Sequence, residues 1–204
     1  MTDQRTWVFG YGSLVSPDSF GATIGRRLAV GPEFVAAELV GFGRRWNYGI
    51  GGFEGVGVGP DGVERSWTLI ALGVIESPEE SVNGVVVRVS ATELADLDRR
   101  ERNYDRVDVT ASIDHAAVPG DERIVTYVPR AGAIALAESA HASHTAAIER
   151  RYHDLVIGAF SDLGPGQLER YLTTTPDEGM PVIEVVRHPV DRRSAGTRVR
   201  PPLA

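Results

Sequence analysis

Apolar residues fall in short runs along most of the chain, and the spacing of those runs names the elements. Thr6-Trp7-Val8-Phe9 is a strand that stops at Gly10. Trp67 to Ile75 and Gly84 to Val89 read as buried strands, the second introduced by the turn pair Asn83-Gly84. Strand-like segments recur at Val107 to Ile113 and Arg123 to Val128, and Val182 to Val186 is the last. A helical period enters twice. Ser90-Ala91-Thr92-Glu93 is a capping box, which starts a helix running through Arg100 or Glu101. Thr145 to Phe160 places Ile148, Tyr152, Leu155, Val156 and Ala159 on one stripe, and Gly164-Pro165-Gly166 breaks that helix before Leu168 to Leu172 resumes it. Between Gly41 and Gly62 nine glycines and four aromatic residues alternate irregularly, which predicts a strand edge followed by a long loop.

Strands and helices do not alternate regularly, so a doubly wound parallel sheet is not supported. The pattern predicts an α+β fold, with a mixed, mostly antiparallel, barrel-like sheet and flanking helices. One domain is expected over residues 1–188, with a flexible Arg- and Pro-rich tail over 189–204.

Composition narrows the chemistry. The 204 residues carry a net charge of -7, and all 21 basic residues are Arg, with no Lys and no Cys. Schiff-base catalysis, the usual phosphate-loop lysine, thiol nucleophiles, disulfides and Cys-ligated metals are excluded. The 42% hydrophobic content supports a packed core. The acidic balance argues against nucleic-acid binding. No apolar run reaches the ~18 residues of a membrane span, and Met1 to Arg5 opens polar, so a cytoplasmic location without membrane association is expected.

Two places stand out as candidate chemistry. Gly10-Tyr11-Gly12-Ser13-Leu14 follows an apolar strand, and two alternate glycines let backbone N–H groups face a carboxylate or an oxyanion. The bland alternative is a plain turn. A dinucleotide fingerprint fails at Val15, and a nucleophile elbow fails because Ser13 lacks the following glycine. The second place is Glu101. At about 100° per residue, with Leu94 at zero, Leu97 falls near ~300° and Glu101 near ~340°, while Asp96, Arg99 and Arg100 face solvent. A carboxylate on an apolar face is costly unless paired or used, and burial raises its pKa toward a general base's range. The competing reading has the helix end by Arg100 and Glu101 paired with Arg99 or Arg102.

The other candidates are weaker. Of His115, His141, His144, His153 and His188, only His141 and His144 are spaced to share a helical face, and with only Glu138 nearby they read as a surface pair rather than a zinc site. Tyr104 and Tyr127 sit on or beside strands and can donate to a substrate or serve the core. Arg44 and Arg45 can meet an anionic group or lie exposed.

Taken together, these residues resemble the γ-glutamylcyclotransferase superfamily, which includes the ChaC-type proteins. Val8-Phe9-Gly10-Tyr11-Gly12-Ser13-Leu14 looks like its signature strand and loop. Leu39-Val40-Gly41-Phe42-Gly43-Arg44-Arg45-Trp46 is similar to its second strand region, and Val82-Asn83-Gly84-Val85-Val86 to the strand before the catalytic helix. Leu97-Asp98-Arg99-Arg100-Glu101 resembles the helix end that carries the catalytic glutamate, and Thr126-Tyr127-Val128 a later tyrosine-bearing strand. Tyr152 to Leu172 looks like the closing helical region.

The resemblance implies an enzyme that cyclises a small-molecule γ-glutamyl amide to 5-oxoproline and releases the amine. It implies Glu101 as the proton shuttle, the Tyr11, Gly12, Ser13 and Leu14 loop with Tyr104 and Tyr127 as substrate contacts, and no metal or organic cofactor. Two departures stand out: only Arg102 and Asn103 separate Glu101 from Tyr104, and residues 49–66 and the tail from Pro189 match no named part of the family pattern. The alternatives are a non-catalytic ligand-binding module of the same fold, or a hydrolase using Ser13 with one of the histidines. Oligomeric state is not legible.

Overall fold

The computed structural model describes residues 6–113, 118, 122–176 and 178–189. His115 and the tail from residue 190 lie outside the described residues. Among the described residues, nine strands join into one mixed sheet. β1 (Thr6–Gly10) runs antiparallel to β4 and parallel to β6. β4 (Glu64–Val89) is the spine of the fold, and β2 (Phe34–Gly49) follows it antiparallel from Gly49↔Ile70 to Phe34↔Val87. β3 (Phe53–Val58) pairs with the start of β4 and with β9 (Val186–Pro189). β5 (Tyr104–Asp108) pairs antiparallel with β6 (Ile124–Pro129). β7 (Ala146–Glu149) lies parallel to β4 and to β8 (Val182–Ile183). Most pairings are antiparallel. The sheet curls until Leu39 of β2 bridges Ile113, just beyond β5, which gives the barrel-like form.

The expected break at Asn83-Gly84 does not occur. Both residues sit inside β4, paired with Glu38 and Ala37 of β2. Glycine is required there by close approach: a Cβ on Gly84 would lie 2.2 Å from the Gly10 carbonyl oxygen, on the neighbouring β1. Val85, Val86 and Val87 are wholly buried, as a strand covered on both faces must be. The glycine-rich stretch is likewise strand rather than loop, the end of β2 turning into β3.

Five helices flank the sheet: α1 (Pro17–Ile24), α2 (Ala91–Arg100), α3 (Ala131–Ala142), α4 (Arg150–Asp162) and α5 (Gln167–Thr174). The Ser90 capping box forms reciprocally, a cap worth about 1 kcal/mol. The helix expected from Thr145 begins only at Arg150, because residues 146–149 are taken up as strand β7 beside β4. α3 ends at Ala142 and His144 adopts a left-handed φ of 55°, so His141 and His144 do not share a helical face.

Arg44 is a correction to the sequence reading. It is fully buried, with its guanidinium 4.9 Å from the Phe160 ring and 5.0 Å from the Tyr171 ring. It donates to Thr175 Oγ1 at 3.0 Å and to the Asn83 carbonyl and side chain. Burial lowers its pKa to about 10, so it remains a cation at neutral pH, tying β2 and β4 to the two C-terminal helices. Arg45 is paired with Glu80 at 2.6 Å. Neither arginine lines the cavity described next.

Candidate active site

Where β1 ends, the chain turns sharply through Gly12 into a single 3₁₀ turn at Ser13–Val15. Val15 and Ser16 donate back to the Gly12 and Ser13 carbonyls at 2.9 and 3.3 Å. The preceding amides of Gly12, Ser13 and Leu14 have no hydrogen-bond partner among the described residues, as expected of N–H groups at a helix start. A Cβ on Gly12 would stand 3.1 Å from the Tyr152 hydroxyl, so glycine keeps this backbone close to that side chain.

These amides border a small cavity, about 310 Å³ of empty space counting its open mouth. Glu101 lines the same cavity as the C-cap of α2, its N–H bonded to the Leu97 carbonyl at 2.8 Å. Its side chain is only 13% exposed. Burial raises its pKa above the ordinary carboxyl range, and neighbouring Arg100 offsets part of that rise. The partner is neither Arg99 nor Arg102: Arg100 Nε stands 3.0 Å from Glu101 Oε1.

Arg100 is exposed, as the helical wheel suggests, yet its guanidinium is tied on several sides. Its remaining nitrogens donate to the Ser19 carbonyl at 2.9 Å, Thr23 Oγ1 at 2.6 Å, Ser13 Oγ at 2.8 Å and Ser19 Oγ at 3.1 Å. One guanidinium therefore fastens the Glu101 carboxylate, the glycine loop and α1 together.

Tyrosines form the rest of the lining, with Phe9 and Leu72. Tyr11 donates to the Tyr127 carbonyl at 2.6 Å, Tyr104 to the Leu72 carbonyl at 3.2 Å and Tyr127 to Asp98 at 2.9 Å. Tyr104 and Tyr127 thus reach the cavity with their rings, their hydroxyl protons committed elsewhere. Tyr152 is the lining residue that sequence reasoning left in the core. Its hydroxyl accepts from the Leu72 amide at 3.3 Å, which leaves its own proton available to a ligand. Burial pushes all four hydroxyls well up, so they stay neutral donors. Tyr152 sits on the stripe of α4, and its helical spacing carries no signal that separates it from packing residues.

No family model matches the sequence, and no curated protein matches it. Solved structures do. A γ-glutamyl cyclotransferase is 16% identical, over 87% of this chain and 93% of its own, with a TM-score of 0.51. YkqA from Bacillus subtilis is 16% identical over 89% of this chain, with a TM-score of 0.54, and this chain covers 57% of its length. The chain has the γ-glutamyl cyclotransferase fold.

At this identity the likeness establishes the fold, and the chemistry rests on the residues themselves. Within that fold, Glu101 and the 11–14 loop meet across one cavity. None of the described histidines borders it; His153 pairs with Asp154 at 3.1 Å, and His141 stands 3.9 Å from Glu178. Among the described residues no side-chain cluster suits a metal ion, and no helix is long and apolar enough to cross a membrane.

Proposed function

We propose that the protein cyclises the γ-glutamyl group of a small-molecule amide to 5-oxoproline and releases the attached amine. The reading is carried by one observation: a carboxylate 13% exposed, its pKa raised, lines one small cavity together with a loop of three unpartnered backbone amides. The substrate supplies its own nucleophile, so neither Lys nor Cys is needed. Its α-ammonium gives a proton to Glu101, and the freed amine attacks the γ-carbonyl carbon to form the ring N–C bond. The tetrahedral oxyanion is held by amides of the 11–14 loop, and the Tyr152 hydroxyl is placed to add a donor. The ring nitrogen then loses its second proton while the amide C–N bond breaks. The leaving nitrogen gains two protons in all and departs as ammonium, and Glu101 ends ionised as it began. Tyr11, Tyr104 and Tyr127 wall the cavity and hold the substrate curled, which supplies rate through proximity.

The Arg100–Glu101 ion pair favours one other reading, a non-catalytic binding module in which Glu101 is simply paired. A Ser13 hydrolase draws no support, because Ser13 Oγ is held by Arg100 and no described histidine borders it. Purified protein should release 5-oxoproline from at least one member of a γ-glutamyl dipeptide and amine panel. It should take no label from a fluorophosphonate probe. No product from any member supports the binding module, and covalent labelling of Ser13 supports the hydrolase.

A further inference from the structure

The cavity at Glu101 is small, and a second cleft opens directly beside it. Its walls are Tyr48, Phe53, Arg102, Asn103, Gly132 and Leu136, from the end of β2, the start of β3, the turn after α2 and the start of α3. Counting their open mouths, it holds about 1110 Å³ of empty space, against about 310 Å³ at Glu101. The two spaces share a wall. Tyr48 of the cleft stacks on Tyr104 of the cavity, with ring centres 4.3 Å apart and planes 14° from parallel. Asn103 fixes that wall by donating to the Tyr48 hydroxyl at 3.2 Å.

The cleft has an apolar side and a cationic one. Phe53 is 43% exposed, and Leu136 lines the same space. Arg130 also borders the cleft but is paired with Asp105 at 2.8 Å. Arg102, next in sequence to Glu101, has no carboxylate partner among the described residues, in a protein of net charge -7.

Resting on the cyclisation reading, we infer that this cleft holds the leaving half of the γ-glutamyl amide. That half is an amine with an apolar body larger than one amino-acid side chain, bearing an anionic group that Arg102 meets. The reaction itself points to this side: the group that returns the proton must stand at the leaving nitrogen, and Arg102 and Asn103, which follow Glu101 directly in the chain, line the cleft.

Four γ-glutamyl amides test the inference, with methylamine, benzylamine, 4-(aminomethyl)biphenyl and 4′-(aminomethyl)biphenyl-4-carboxylate as leaving amines. For the wild type, kcat/KM for 5-oxoproline release should rise by about tenfold or more from methylamine to biphenyl, the scale of burying an aromatic body. The added carboxylate should raise it by a further ~2- to 5-fold, the scale of an exposed ion pair. Arg102→Gln should remove the carboxylate step. Gly132→Leu should flatten the aromatic steps by filling the cleft, and it is expected to fold, since a Cβ at Gly132 meets nothing within 4 Å. Turnover of all four amides at equal kcat/KM, or steps unchanged in both variants, overturns the inference and leaves cyclisation standing. No 5-oxoproline from any amide overturns cyclisation and this inference with it.

Discussion

Glu101→Gln is expected to fold normally and to lose 5-oxoproline release by about 10²- to 10⁴-fold, the range of a removed general acid–base. The amide keeps the size and hydrogen-bonding shape of the carboxyl but cannot take a proton from the α-ammonium. The same variant should be more stable than the wild type at neutral pH. Burial raises the folded-state pKa of Glu101, so the folded protein holds that proton more tightly than the unfolded chain. Stability is therefore lost as pH rises from the ordinary carboxyl value, about 4.3, through the raised one. Gln never ionises, so its advantage in melting temperature should vanish at low pH and be complete above that window. A carboxylate kept at a cost in stability is what a working base looks like, and a variant no more stable at neutral pH contradicts the raised pKa of Glu101.

Arg100→Met should have the next largest effect. It removes the 3.0 Å ion pair to Glu101 and the bonds to Ser13, Ser19 and Thr23, so the carboxylate and the amide loop lose their common anchor. A shift of about 1 Å between such groups costs up to about 10²-fold, and kcat should fall by about ten- to a hundredfold. The pH profile separates this from simple loss of structure. Arg100 favours the ionised form of Glu101, so its removal raises the Glu101 pKa further, and the acid limb of kcat/KM should move to higher pH. The facing tyrosines, Tyr11, Tyr48, Tyr104, Tyr127 and Tyr152, are all shifted upward and stay neutral there, so the limb reports Glu101. Arg100→Lys should return the limb toward its wild-type position without restoring full kcat, because a point charge lacks the guanidinium fork. An unmoved limb in Arg100→Met refutes the electrostatic part of this role.

What the sequence discloses and what it hides follow from how local each cause is. β1, the glycine loop and the Ser90 cap are written in adjacent residues, and the α2 wheel brings Glu101 inward beside Leu97. The continuity of β4 is not local: Asn83-Gly84 has turn chemistry, but β2 pairs across it and the approach of β1 is what demands the glycine. Residues 146–149 look helical until β4 supplies a parallel partner. Arg44 reads as a surface charge, and the ties of the exposed Arg100 go unread, because their partners, Thr175 and Ser13, lie 131 and 87 residues away. Tyr152 hides for a similar reason, since the loop it faces lies at the other end of the chain.

The central claim is that bond cleavage comes from the substrate's own amine and not from water. Incubating the wild-type protein with a cleaved γ-glutamyl amide in H₂¹⁸O and analysing the glutamyl product by mass spectrometry tests this directly. Cyclisation gives unlabelled 5-oxoproline in equal amount with the released amine, whereas ¹⁸O-labelled glutamate would refute it.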